Sequence, residues 1–455
     1  MNLQNKRVLV IGLAVTGVPL VKVLVQLGSK VIVNDLKSKD KLTDALEELK
    51  GLNVKYIFEE HPNDLDVLGT IDLVVVSPGV PLDIPFINLL REKSIDIIGE
   101  IELAYRLGKA DIVAITGTNG KTTTTALTGK IFKDAGRITY VVGNIGVPAI
   151  SKALESQQGD NMIMEVSSFQ LESISKFHPK VAAILNLTPD HLNRHKTMEN
   201  YLNAKLNIFM NQNSNDYAVI NYDDEVLREA SKRLSANILF FSRKSKLEKG
   251  VYVKDQKIVV KLDDKVLEII PIDEIKIPGN HNLENALAAT AMAFAMGIEP
   301  MSIADSLRTF EGVEHRIEFV DVINGVTYIN DSKGTNPDAS IKAVEAVKEP
   351  IILLAGGMDK GSDFTEFIKS FKGKVKALVV YGETAEKIKG TAISLGFSNV
   401  VLVKDLQEAV EYTNEIATAG DSVLLSPACA SWDMYPNFEE RGRHFKELVS
   451  KLRRS

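Results

Sequence analysis

The sequence predicts an α/β protein built from three consecutive units. Three observations carry that expectation. Short apolar runs alternate with amphipathic ones along most of the 455 residues, which is the pattern of strands and covering helices in a parallel sheet. Apolar runs in the middle of the chain end in polar residues, and open α/β sheets bind ligands beyond the carboxyl ends of their strands. The character of the chain changes near residues 99 and 311, in keeping with roughly three domains at ~100–200 residues each.

In the first unit, 1–99, KRVLVIGL, SKVIVND, VKYIFEE, IDLVVVSPG and IDIIGE read as strands, and TDALEELK and IPFINLLREK as helices. Lys6 and Arg7 before VLVIGLAVTGVPLV could open a signal peptide. Gly12, Thr16, Gly17, Pro19 and then Lys22 interrupt that run, and no A-x-A-like cleavage site follows, so a strand, a glycine turn and a helix are expected. Gly12-Leu13-Ala14-Val15-Thr16-Gly17 resembles G-x-G-x-x-G, with Asp35 ending the second strand. The middle glycine, which admits a pyrophosphate to the backbone, is replaced by Ala14. That weakens a dinucleotide reading and leaves open another nucleotide lying across the strand ends.

The second unit, 100–311, opens with DIVAITG running into Thr116-Gly117-Thr118-Asn119-Gly120-Lys121-Thr122 and a threonine-rich helix start. The familiar phosphate loop is G-x-x-x-x-G-K-[ST]. Here Gly120-Lys121-Thr122 are in place, but Ile115 holds the first glycine's position and Gly117 sits closer in. The N–H groups of a helix start make an anion site, Lys121 can reach the β- and γ-phosphates, and Thr122 can hold Mg²⁺. The plain alternative is a glycine turn that caps a helix. NMIMEVSS ends in Glu165, and KVAAILNLTPD ends beside Asp190 and His191. A carboxylate at a strand end suits Mg²⁺, and a histidine there is either a ligand or a satisfied core residue. In YLNAKLNIF, Lys205 lies among Leu202, Leu206 and Phe209 at helix spacing. Alone it reads as a lysine with its stem on the core and its head in water. PGNHNLENALAATAMAFAMG, 278–297, is expected to be a helix.

In the third unit, 312–455, IEFVDVINGVTYIND predicts a hairpin turning at Asn324-Gly325. IILLAGG, ALVVYG, NVVLVKD and SVLLSPA read as strands separated by helices. Strand ends and junctions bring forward His315, Arg316, Asp331, Lys333, Thr335, Lys360, Ser431 and Phe438. An arginine suits the charge that develops in phosphoryl transfer, the lysines suit a small dianion, and solvated loop charges are the plain alternative.

Hydrophobic residues make up 45% and charged residues 25%, with a net charge of −6. That balance gives no sign of a general nucleic-acid binder. A single cysteine, Cys429, allows no intrachain disulfide or cysteine metal cluster and suits a reducing cytoplasm. No run reaches the ~18–20 apolar residues of a membrane span.

Taken together, TGTNGKTT, GNIG, EVSSFQLE, TPDH with YLNAKLNIF, HRIEF, INDSKGTNP and LLSPACASWDMYPNFEERG resemble the Mur ligase family of peptidoglycan synthesis, over nearly the whole chain. The first motif is shared with folylpolyglutamate synthase, and the last two resemble most the member that adds D-glutamate. The resemblance implies three domains, 1–99, 100–311 and 312–455, with a Rossmann-like first, a P-loop-type mononucleotide-binding second and a Rossmann-like third. It implies that the shortened loop is a working variant. Val15, Thr16, Asp35, Gly79 and Asn144 would serve a UDP-linked substrate, UDP-N-acetylmuramoyl-L-alanine. Gly117, Thr118, Asn119, Gly120, Lys121, Thr122, Thr123, Asn282, Asn285, Arg316 and Asp331 would serve ATP. Thr122, Glu165, His191 and Lys205, the last as a carbamate, would hold Mg²⁺, two ions in all. His315, Thr335, Lys360, Ser431 and Phe438 would bind D-glutamate. Lys121, Glu165, His191, Lys205 and Arg316 would carry catalysis on a cytoplasmic monomer, through an acyl phosphate made as the third domain closes. Asn193 departs from the acid that many relatives carry after D-H-L. The alternatives are a related ligase with another acceptor, an NAD-dependent dehydrogenase, and a nucleotide-binding regulator without turnover.

Overall fold

The computed structural model describes residues 1–13, 16–62, 64–144, 147–262, 265–359 and 361–453, and for Asn193 the backbone alone. The first five strands follow the apolar runs of the N-terminal segment: β1 (Arg7–Ile11), β2 (Lys30–Asp35), β3 (Val54–Phe58), β4 (Leu73–Val76) and β5 (Ile97–Gly99). They form one parallel sheet in the order β3-β2-β1-β4-β5. Val8, Leu9, Val10 and Ile11 are all buried, as expected of a central strand covered on both faces.

The second sheet has nine strands: β6 (Asp111–Thr116), β7 (Thr139–Gly143), β8 (Asn161–Glu165), β9 (Val181–Ile184), β10 (Tyr217–Asn221), β11 (Asn237–Ser242), β12 (Gly250–Lys254), β13 (Lys257–Leu262) and β14 (Lys265–Pro271). Their order is β14-β13-β12-β11-β10-β9-β6-β8-β7, with β13 antiparallel to both its neighbours and the rest parallel. The chain leaves β6 toward one edge and β9 toward the other. The crevice between β6 and β9 is therefore the switch point where such sheets bind ligands.

These two sheets share a hydrophobic core that runs from Leu3 to Ala236. Residues 1–275 and 284–309 form one compact unit. Glu102, fully buried, accepts the N–H groups of Ser175, Lys176 and Phe177 just before β9 and pairs with Arg106. Gly99 donates to the Ser173 carbonyl at 2.9 Å.

A second compact unit holds residues 276–283 and 310–455. Its sheet contains β15 (Glu318–Ile323), β16 (Val326–Asn330), β17 (Ile351–Gly356), β18 (Val375–Tyr381), β19 (Val400–Leu402) and β20 (Ser422–Leu425), in the order β15-β16-β20-β17-β18-β19. The expected hairpin is present. Ile323 pairs with Val326, and Asn324 and Gly325 have φ of 52° and 79°, the left-handed pair that a two-residue turn requires. Cores lie on both faces of this sheet. Among the described residues, no helix is long and apolar enough to cross a membrane.

Candidate active site

The loop after β6 turns into the helix Lys121–Asp134 at Gly120, which has φ 82°. A side chain at Gly120 would both strain the backbone and strike Asn285 Oδ1. The loop is braced from the end of β9. Asn186 Oδ1 accepts the N–H groups of Thr118 (3.1 Å) and Asn119 (2.8 Å), and its Nδ2 donates to the Asn119 carbonyl at 3.0 Å. Thr118 Oγ1 donates to the Thr188 carbonyl and accepts the Thr188 N–H. Lys121 Nζ folds back onto the Gly117 and Thr118 carbonyls at 3.0 and 2.8 Å. Thr122 and Thr123 are buried in the first turn, and Asn285 Oδ1 accepts from Thr124. Asn282 donates to the Pro278 carbonyl at 2.7 Å. The helix Asn280–Ala295 begins in the second unit and continues in the first.

Glu165 ends β8 beside β6, with Ile115 its register partner. Its Oε1 accepts from Asn144 Nδ2 at 2.9 Å, while its Oε2 is buried without a hydrogen-bond partner. Thr116 Oγ1, at the end of β6, is likewise buried and unpartnered. A buried carboxylate oxygen left unpaired is costly unless a cation takes it. This donor set fits Mg²⁺. His191 sits in a left-handed turn at φ 53° and caps the helix Leu192–His195. Its ring is 42% exposed and lies 3.5 Å from Asp190.

Lys205 corrects the expectation of a solvated head. It is 1% exposed, its Nζ donates to the Gly117 carbonyl at 2.8 Å, and it lies 4.4 Å from the Tyr201 ring centroid. Burial first, and then the charge of Lys121, hold its pKa well below the lysine range. The amine is therefore driven toward its neutral, nucleophilic form.

Around this centre stands a network of residues that carry no local signal in the sequence. His195 Nε2 lies 2.9 Å from Ser168 Oγ, and its Nδ1 lies 3.4 Å from Glu172. Arg194 pairs with Glu172 at 2.6 Å and reaches the carbonyls of Pro78 and Val80 in the first sheet's loop. In that first sheet, Asp35 is committed to the backbone. Its carboxylate accepts the N–H groups of Leu13 and Lys37 and so holds the turn after β1. Thr16 precedes the helix Gly17–Gln26, and Gly79 faces open space. Val15 lies outside the described residues.

In the second unit, Asp331 is fully buried after β16. Ser426 Oγ donates to its Oδ2 at 2.7 Å, and Arg316 Nη1 lies 3.6 Å from its Oδ1. Burial raises its pKa, and Arg316 and Ser426 pull it back down. His315 is buried rather than open. Asn330 donates to its Nδ1 at 2.9 Å, Nε2 has no hydrogen-bond partner and lies 3.7 Å from Glu314, and burial lowers its pKa. Phe438 opens the helix Phe438–Leu452, with its ring under Lys333 at 4.8 Å and 6.3 Å from the His315 ring. Thr335 is half-buried and Ser431 buried. Lys360 lies outside the described residues. The residue that the sequence leaves unmarked here is Arg441. Its buried guanidinium donates to Ser332 and to the Cys429 and Ala430 carbonyls, tying the loops after β16 and β20 together. Nothing in NFEERGR separates it from Arg443, which is exposed.

Residues 115–293 match the Mur ligase middle domain, residues 315–429 the Mur ligase glutamate ligase domain, and residues 6–99 the Mur ligase MurD-like N-terminal domain. The chain is 64% identical over 455 residues to the UDP-N-acetylmuramoylalanine--D-glutamate ligase of Alkaliphilus metalliredigens (strain QYMF), covering 100% of both chains. It is 52% identical over 455 residues to the protein of the same name in Clostridioides difficile (strain 630), again covering 100% of both. Among solved structures it is similar to the UDP-N-acetylmuramate-alanine ligase MurC from Thermotoga maritima, with a TM-score of 0.62, 20% identity, and 98% and 99% of the two chains covered. It is also similar to the MurF ligase from Thermotoga maritima in complex with ADP, with a TM-score of 0.59, 16% identity, and 93% and 95% covered. At those identities the two structures share the fold.

Proposed function

This chain belongs to the Mur ligase family, and we propose that it joins D-glutamate to UDP-N-acetylmuramoyl-L-alanine with ATP, the D-glutamate step of peptidoglycan synthesis. One observation carries the reading. In a chain colinear over its full length with D-glutamate ligases, a phosphate loop and the buried Glu165 lie on neighbouring strands.

A carboxylate is a poor electrophile because its leaving group would be oxide. The alanyl carboxylate oxygen attacks the γ-phosphorus of ATP, the bond to ADP breaks, and an acyl phosphate forms. The amine of D-glutamate then attacks the acyl carbon. Phosphate leaves, a proton is lost and the amide remains. The protein's part is positioning and charge neutralisation. The loop N–H groups and Lys121 hold the phosphates. Thr122, Glu165, His191 and Lys205 as a carbamate would hold Mg²⁺, two ions in this reading, which supplies neutralisation of phosphate charge when bound. Lys205 reaches that state when its neutral nitrogen bonds to carbon dioxide and sheds a proton. Its depressed pKa supports this.

Asn144 and the loops after β1 and β4, with Val15, Thr16, Asp35 and Gly79, are assigned to the sugar nucleotide. Asn282 and Asn285 are assigned to the adenine, and Arg316 and Asp331 to ATP. Thr335, Lys360, Ser431 and Phe438 are assigned to D-glutamate. His315 is assigned to the same pocket through the Phe438 ring. A cytoplasmic monomer is proposed, with the lone cysteine as support for the compartment.

The test is phosphate release from ATP and Mg²⁺ with UDP-N-acetylmuramoyl-L-alanine, comparing D-glutamate, L-glutamate, L-lysine and meso-diaminopimelate. Release with D-glutamate alone is expected. Release with another acceptor would keep the ligase and overturn the pocket, and no release with any acceptor would overturn both.

A further inference from the structure

Arg194 has no part in the chemistry just described, yet it touches two separate pieces of the active-site wall, the loop after β4 and the turn after β8. Its Nη1 donates to the Pro78 carbonyl at 3.2 Å, and its Nη2 donates to the Val80 carbonyl at 3.3 Å and to Glu172 Oε2 at 2.6 Å. Its guanidinium lies 4.6 Å from the centre of the Phe169 ring.

Pro78 and Val80 follow β4 in the first sheet. That loop is packed against the turn after β1, where a Cβ on Gly12 would come within 2.8 Å of Ser77 Cβ. Phe169 and Glu172 lie in the turn after β8, beyond Glu165. His191 stands one helical turn before Arg194, and their backbones are hydrogen-bonded at 3.0 Å. His195 holds the same segment from behind through Ser168 and Glu172. An exposed ion pair contributes little. The Arg194 and Glu172 side chains, however, are only 17% and 21% exposed, and two of the hydrogen bonds cross from one sheet to the other. A guanidinium divides these contacts between two nitrogens of a planar fork, whereas an ammonium would have to serve both carbonyls and the carboxylate from a single point.

We propose that Arg194 is a positioning residue that fixes the reach between the loop holding the nucleotide end of the substrate and the centre where its carboxylate is phosphorylated. This rests on the proposed function. The substrate is a single molecule with its nucleotide at one end and its carboxylate at the other, so it spans both sheets. Its reactive end is placed only as well as the two sheets are held, and a misplacement near 1 Å costs about a hundredfold in rate. Ligands that occupy one half alone do not sense the span. The expected signature is thus a loss of kcat with the full substrate while the two half-sites keep their affinities.

The experiment compares the full-length parent with Arg194→Met and Arg194→Lys. The parent is assayed first for D-glutamate-dependent phosphate release. A parent without that activity refutes the proposed function whatever Arg194 does. With an active parent, Arg194→Met is expected to lower kcat by about 30–100-fold, with the Kd of UDP and the KM of ATP held within about twofold. Arg194→Lys is expected to stay within about threefold of Arg194→Met, because a single nitrogen does not reproduce the two-nitrogen fork that spans the loop and the carboxylate. A kcat within about threefold of the parent would overturn the proposal. So would a fall in UDP affinity that matches the fall in kcat, since Arg194 would then be a binding or merely stabilising group. If Arg194→Met does not fold, Glu172→Gln loosens the same guanidinium. It is expected to give the same split at about 5–10-fold, and equal losses in UDP affinity and kcat there would refute the proposal.

Discussion

Replacing Lys205 with methionine should make the stability of the protein less dependent on pH, and the size of the effect follows from where the amine sits. The side chain is 1% exposed, and its Nζ donates to the Gly117 carbonyl at 2.8 Å. Methionine keeps most of the volume. The lost hydrogen bond costs about 1 kcal/mol, and the swap of shape less than about 1.5 kcal/mol. The proton matters more than either. In the native state the pKa is held well below the 10.5 of a free lysine. Between those two values the unfolded chain carries a proton that the native chain lacks, so native stability rises with pH. The slope from this one group is about 1.4 kcal/mol per pH unit. Lys205→Met has no such group. The stability of the parent minus that of the variant should therefore climb by about 2 kcal/mol from about pH 8 to about pH 9.5. Urea unfolding of both proteins, followed by circular dichroism in buffers freed of carbon dioxide, measures the difference. A flat difference would mean that native Lys205 keeps its proton, and the neutral amine needed for carbamate formation would be absent. Turnover should fall about a thousandfold, as when a group that stabilises transition-state charge is removed. In Lys205→Ala, short carboxylic acids should restore part of it by supplying the missing anion.

Asn186→Ala removes three hydrogen bonds that brace the phosphate loop. A loss of about 2–3 kcal/mol in stability and a rise of about tenfold in the KM for ATP are expected, from thermal unfolding and ATP titration respectively. Glu165→Gln keeps the acceptor facing Asn144 but removes the charge, so the Mg²⁺ concentration for half-maximal rate should rise about tenfold or more. An unchanged Mg²⁺ dependence would remove Glu165 from the metal site. Cys429 is buried and its thiol is pushed up to about 11 by that burial, with Thr384 and Arg441 pulling back. At neutral pH almost no thiolate exists, so a chromogenic disulfide reagent should label the native protein far more slowly than the urea-unfolded chain. Equal rates would contradict the burial.

What the sequence reveals is what lies close together in it. The loop after β6 is legible because the strand, the glycines, Lys121 and the helix start lie within one stretch of chain, and each has its own local reason. The turn at Asn324-Gly325 is legible for the same reason. The turn between β12 and β13 is not. It pairs Lys254 with Lys257, and Asp255 and Gln256 take φ of 48° and 56° without any glycine or asparagine. With the turn unsignalled, the antiparallel extension β12–β14 goes unread, although KIVVKL is rich in β-branched residues. The braces are hidden by distance. Asn186 meets the loop 67 residues away, Arg194 meets Pro78 116 residues away, and Arg441 meets Ser332 109 residues away. Lys205 is the sharpest case. A snorkelling lysine and a buried one leave the same apolar pattern on a helix. What decides between them is the Tyr201 ring one turn earlier and the Gly117 carbonyl from another element.

These distant contacts have one consequence in common for the first unit. β9 is tied to the first sheet at both ends. Before it, the N–H groups of Ser175, Lys176 and Phe177 are held by Glu102, whose helix, Glu100–Leu107, follows β5 directly. After it, Arg194 holds Pro78 and Val80. Held to the first sheet only before β9, the second sheet could still shift against it at the carboxyl end of β9, where His191 and the bracing residues of the phosphate loop lie. The second tie removes that freedom. A carboxylate such as Glu102 can sit fully buried there because three backbone donors and Arg106 satisfy it. Both ties lie within one compact unit, so under the proposed function the distance between the two ends of the substrate would be set by the fold before the substrate arrives.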